Sequence, residues 1–182
     1  MIPWTRRPTL RPLRPVRLGL FTTAFAVAAA AASSMLATAG HGPTLLLNRS
    51  PSEPPGLYLR TSEPVRPGVI VAFRTPDLAF PYADRHMAYL HQRPLLKRVA
   101  AGPGDRVCTR ADTLVINGVT QAPIQRWDRE GRALPRWSGC RPLRPDEVFV
   151  FSARVPNSFD SRYYGPVNRG AVLGVYRFAG GL

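Results

Sequence analysis

Lysine is nearly missing from this 182-residue chain: Lys97 is the single lysine among 25 cationic side chains, and the others are arginine. A coding bias toward arginine explains the majority but not the exception. Histidine stops at three and cysteine at two. His86 and His91 stand five apart and share no helix face, and with His41 they show no metal-ligand spacing. No metal site and no cofactor are expected. Acids number 11, leaving a formal charge of +14. Such a balance often signals nucleic acid. Here, however, Arg6, Arg7, Arg11, Arg14 and Arg17 stand together ahead of an uncharged segment, and the remaining cations form no cluster on a recognisable helix. No specific nucleic-acid partner is expected.

Charge is missing altogether from residues 18–40, "LGLFTTAFAVAAAAASSMLATAG". The run is long enough to cross a bilayer as one helix, and the arginines before it place residues 1–17 in the cytoplasm and residues 41–182 outside. Two readings stay open. The segment is an uncleaved anchor, or it is a signal peptide cut after Ala37-Thr38-Ala39, which has the small-x-small form of a cleavage site. The anchor is preferred because the run exceeds a usual signal-peptide core. Either way the domain is exported, and an exported domain with two cysteines is a candidate for a Cys108–Cys140 disulfide.

The exported part is patterned in short, β-branched runs. Strands are expected over residues 68–73 ("GVIVAF"), 95–100 ("LLKRVA"), 147–152 ("EVFVFS") and 171–178 ("AVLGVYRF"), with another at Leu57-Tyr58-Leu59. Asn117-Gly118 between two strand candidates signals a tight hairpin. Residues 82–91 are the one short helix expected, and residues 123–146, rich in proline and arginine, read as an irregular excursion. The fold class is mostly β, short strands with large loops, preceded by one N-terminal transmembrane helix.

Lys97 sits among Leu95, Leu96, Val99 and Ala100, beside Arg98. Guanidinium stays protonated, whereas an amine in an apolar site can lose its proton and act as a base. A lysine base can activate a serine with no third residue. Ser52, in the constrained "SEPPGLY" run, is the candidate nucleophile, with Ser50 two residues before it. A third stretch, "SFDSRYYGPV", supplies Ser158, Asp160 and Arg162, the last two suited to an ion pair bracing a site wall.

"SEPPGLY", "KRVAAGPGD" and "SFDSRYYGPV", in that order, resemble the conserved boxes of the type I signal peptidases, membrane-anchored serine–lysine endopeptidases. The form of the boxes is similar to the conjugative-transfer, TraF-type subgroup. The resemblance implies a signal-peptidase-like β domain, Ser52 as nucleophile and Lys97 as general base. It further implies an oxyanion site from the Ser52 N–H and the Ser50 hydroxyl, Ser158 hydrogen-bonded to the lysine amine, and Asp160 and Arg162 holding the loop. The substrate would be an exported precursor, the conjugative pilin first among candidates, met at the membrane surface. A general leader peptidase and a non-catalytic envelope binding module remain alternatives, and oligomeric state is left open. Glu53 departs from the family pattern, which usually has an apolar residue there. A carboxylate beside Lys97 would hold the amine protonated. Alternation along an extended segment is expected to turn Glu53 away from Ser52; failing that, Ser50 becomes the alternative nucleophile.

Overall fold

The computed structural model describes residues 42–181. The expectations for residues 1–17 and 18–40, and for His41, lie outside the described residues. Among the described residues no helix is long and apolar enough to cross a membrane.

Among the described residues, eleven short strands form two antiparallel sheets. The larger sheet holds β1 (Leu45–Asn48), β2 (Gly56–Thr61), β3 (Ile70–Phe73), β4 (Leu95–Ala101), β9 (Glu147–Val150), β10 (Val167–Asn168) and β11 (Val172–Gly180). Their spatial order is β1-β2-β11-β3-β4-β9-β10. The smaller sheet takes β5 (Arg106–Arg110), β6 (Thr113–Ile116), β7 (Val119–Pro123) and β8 (Cys140–Pro142), in the order β7-β6-β5-β8. The main core joins residues of both sheets, among them Val71, Phe73, Val99, Val107, Leu114, Val148, Val150 and Tyr164. Each is aliphatic or aromatic and almost wholly removed from water, the arrangement that dominates folding free energy.

Local chemistry sets the joints. Asn117 (φ 50) and Gly118 (φ 83) both occupy the left-handed region between β6 and β7, as a two-residue hairpin turn requires. The helical expectation over residues 82–91 is met in two pieces. Helix α1 (Phe80–His86) ends at Met87, whose φ of −145° leaves helical space, and a 3-10 turn, Ala88–His91, follows. The excursion after β7 is mostly irregular, as expected, but it is tied down. Cys108 and Cys140 are register partners across β5 and β8 and form a disulfide. The Trp137 N–H donates to the Arg162 carbonyl at 3.2 Å, and the indole packs on Phe149 with ring centroids 5.5 Å apart. Gly165 sits against this indole at φ 80, where a Cβ would lie 2.6 Å from Trp137; only glycine combines that torsion with that approach.

Candidate active site

Ser52 occupies the loop of the β1–β2 hairpin, between the paired residues Asn48 and Gly56. Asn48 makes four of the hydrogen bonds that shape the loop. Asn48 Nδ2 donates to the carbonyls of Ser50 (2.9 Å), Glu53 (3.0 Å) and Pro54 (3.1 Å), and Asn48 Oδ1 accepts from the Ser50 N–H at 3.0 Å. Asparagine carries both donor and acceptor on one short stem, so it can stand in for the missing backbone ladder. From below, the Tyr58 hydroxyl donates to the Pro54 carbonyl at 2.8 Å. Ser152, just past β9, donates its hydroxyl to the carbonyl of Ser52 itself.

Lys97 arrives from β4, where it pairs in register with Val71 on β3. Its side chain is 4% exposed, and its Nζ is hydrogen-bonded to Ser52 Oγ. Burial brings the amine down from 10.5 to about 8, against the carboxylates of Asp160 and Glu53, which favour the ammonium. Desolvation wins because charge lost from water is not fully repaid by partners at a distance. The nucleophile and base candidates, 45 residues apart in sequence, are thus placed in contact.

Ser50 Oγ lies 2.9 Å from Ser52 Oγ and accepts from the Ser52 N–H at 3.4 Å, so the two hydroxyls and this amide are gathered at one point. Asp160 and Arg162 form a bidentate pair: Arg162 Nε to Asp160 Oδ1 at 2.8 Å and Arg162 Nη2 to Asp160 Oδ2 at 3.0 Å, with both residues buried. Arg162 also donates to the carbonyls of Pro123 (2.9 Å) and Ser158 (3.0 Å) and lies over the Phe151 ring. Asp160 caps the short helix α2 (Ser161–Tyr164) by accepting from the Arg162 N–H. The pair therefore fixes the loop that walls the site, and Asp160 acts on Lys97 by charge, without a direct hydrogen bond.

Two expectations are corrected. The hydrogen bond expected from Ser158 to the Lys97 amine is not formed: Ser158 Oγ is buried with no partner, although Ser158 lines the same cleft. Its loop is held through the Ser158 carbonyl, which places the backbone without turning the hydroxyl onto the amine. Glu53, expected to turn away along an extended segment, sits instead in a turn and is 2% exposed. Alternation does not govern a turn. Its carboxylate still avoids Ser52, because Oε1 accepts the Arg98 N–H at 3.0 Å and Oε2 faces the Arg98 guanidinium at 3.7 Å. Sequence reasoning missed Asn48 and Ser152. An asparagine closing a Ser/Pro-rich loop is a detectable turn signal; Ser152, 100 residues from its acceptor, offers none.

The dyad opens into a cleft of about 950 Å³ lined by Leu46, Tyr82, Leu90, Leu95, Phe159 and Tyr163 among others. Charged residues, among them Arg49, Arg93, Asp128 and Arg129, share the lining with these apolar ones.

A serine hydroxyl on a buried amine, in a mostly β domain, defines the class to compare. The family described as signal peptidase, peptidase S26, matches residues 13–179, and the chain belongs to that family. Among its relatives, a plasmid transfer protein TraF of Escherichia coli is 34% identical over 162 residues, covering 83% of this chain and 90% of that protein. A conjugal transfer protein TraF of Agrobacterium fabrum (strain C58 / ATCC 33970) is 35% identical over 142 residues, covering 72% and 79%. A solved signal peptidase I of Enterococcus faecalis V583 is 26% identical with a TM-score of 0.37, covering 63% of this chain and 97% of that one. The assignment rests on the sequence match.

Proposed function

We propose that this protein is a membrane-anchored serine endopeptidase that removes leader peptides from exported precursors, with the pilin of a conjugative system as its substrate. The observation that carries the reading is the hydrogen-bonded pair of Ser52 and a buried, easily neutralised Lys97. Neutral Lys97 takes the Ser52 Oγ proton as that oxygen attacks the scissile carbonyl. The carbonyl becomes an oxyanion beside the Ser52 N–H and the Ser50 hydroxyl, the donors nearest the nucleophile. When the C–N bond breaks, Lys97 returns the proton to the leaving amine, and then deprotonates the water that hydrolyses the ester. Arginine could not replace it, because guanidinium does not deprotonate.

The uncharged run 18–40 with arginines before it supports an anchor with a cytoplasmic N-terminus and a periplasmic domain. The hairpin that carries Ser52 also exposes Leu45, Leu47, Leu57 and Leu59. Their register pairs, Leu45 with Leu59 and Leu47 with Leu57, put all four on one face. Exposed apolar area of this kind suits a lipid surface and would hold the cleft where an exported precursor presents its cut. The TraF relatives favour a conjugative client over the general secretory one.

The test is to incubate the full chain in membranes with a conjugative pilin precursor and with an unrelated secretory precursor, reading product termini by mass spectrometry. Cleavage of the pilin alone supports the conjugative reading. Equal cleavage of both makes the protein a general leader peptidase, and cleavage of neither leaves an envelope binding module.

A further inference from the structure

Glu53 is the least expected residue in the site: a buried carboxylate directly after the nucleophile, where it can pull its neighbour's base toward the ammonium. What it contacts suggests why it is kept. The dipeptide Ser52-Glu53 meets the dipeptide Lys97-Arg98 at two points. Ser52 Oγ bonds Lys97 Nζ, and Glu53 Oε1 accepts the Arg98 N–H at 3.0 Å. That amide has no strand to pair with. Arg98 returns its carbonyl to the Phe151 N–H at 3.0 Å, but β9 stops at Val150, and the Arg98 N–H meets the Glu53 carboxylate instead. An amide left unpaired at this part-buried strand end is costly, and a charged acceptor is the strongest replacement a side chain offers.

We propose that Glu53 is a positioning residue that clamps the nucleophile loop onto β4, fixing Ser52 against Lys97 by gripping the adjacent Arg98 peptide. The inference rests on the serine–lysine reading of the site. The clamp has a backing: Asn48 Nδ2 holds the Glu53 carbonyl and Ser152 holds the Ser52 carbonyl, so both residues of the loop are pinned by main chain as well as side chain. The charges around it are set on several elements. Arg98 on β4 and Arg154 after β9 favour the carboxylate, as does Lys97, and Tyr58 on β2 lies close enough to feel it. Lys97 in turn faces Asp160 and Arg162 from the opposite wall. Burial pushes the Glu53 carboxyl above its ordinary range against those cations, so part of its grip is lost in acid. The clamp therefore has two separable effects: a hydrogen bond that holds geometry, and a charge that favours the ammonium.

The single lysine makes these effects measurable. Incorporating lysine labelled with 13C at the ε-carbon into the full chain in detergent gives one side-chain resonance, that of Lys97, whose titration is followed in wild type, Glu53→Gln and Glu53→Asp. Glutamine keeps an acceptor and removes the charge; aspartate keeps the charge and falls short of Arg98. The expected result is a Lys97 midpoint lower in Glu53→Gln than in wild type. In Glu53→Asp the single resonance should broaden or split as the loop loosens, with kcat for precursor cleavage down on the order of tenfold, the loss of one charge-assisted hydrogen bond, and KM little changed. A Lys97 midpoint unchanged in Glu53→Gln, together with a sharp line and wild-type kcat in Glu53→Asp, overturns the proposal. The titration does not depend on turnover. Absence of cleavage by the wild type would sink the peptidase reading while leaving the clamp to be judged on the resonance.

Discussion

Replacing Lys97 by methionine should abolish cleavage and yet make the protein more stable. Burial lowers the amine from 10.5 to about 8. At about 1.4 kcal/mol per pH unit, the folded site disfavours the ammonium by ~3 kcal/mol relative to the unfolded chain. Methionine fills similar space without charge. Ser52 Oγ loses one partner, worth about 1 kcal/mol, but keeps Ser50. A net gain of about 2 kcal/mol is therefore expected at pH 7. The sign follows from linkage. A lysine whose folded value is depressed binds fewer protons folded than unfolded between about 8 and 10.5, so wild-type stability rises with pH across that window. The advantage of Lys97→Met should be full below pH 8 and fade by about pH 10.5. Urea unfolding of both proteins from pH 6 to 11, followed by tryptophan fluorescence, measures it. A methionine variant less stable at pH 7, or a difference flat across the range, would refute the account of how the amine is neutralised.

Arg162→Met should destabilise the domain by about 3–5 kcal/mol, because it leaves the buried Asp160 carboxylate without its bidentate partner; adding Asp160→Leu should recover part of that loss in the same urea melts. Ser152→Ala removes the hydroxyl that reaches the Ser52 carbonyl. It should cost about 1–3 kcal/mol of stability and lower kcat more than it raises KM in peptide-cleavage kinetics. Reducing the disulfide, which spans a sequence separation of 32, should cost about 3–4 kcal/mol, seen as a lower Tm in dithiothreitol that a Cys108→Ala/Cys140→Ala variant no longer shows.

How far these features could be read from sequence depends on the distance over which each is decided. The Asn117-Gly118 turn is a matter of two torsions, and β3, β4 and β11 lie within apolar runs bounded by turn residues, so local chemistry was enough. Lys97 was legible because arginine elsewhere made it an exception. β1 was not, since Leu45–Asn48 becomes a strand only by pairing with β2. The helix over residues 82–91 looks continuous in sequence because no glycine or proline marks the break at Met87. Burial of Glu53 and the reach of Ser152 depend on where β4 and β9 bring their ends together. No spacing within either segment encodes that meeting.

The most direct test of the serine–lysine pair compares precursor cleavage in membranes by wild type, Ser52→Ala and Lys97→Arg, each checked for equal accumulation. Arginine keeps the charge and much of the bulk but cannot accept the Ser52 proton. Loss of cleavage in both variants at wild-type protein levels is the predicted result. Normal cleavage by Lys97→Arg would contradict the account, leaving the lone lysine a structural residue and the catalytic base elsewhere.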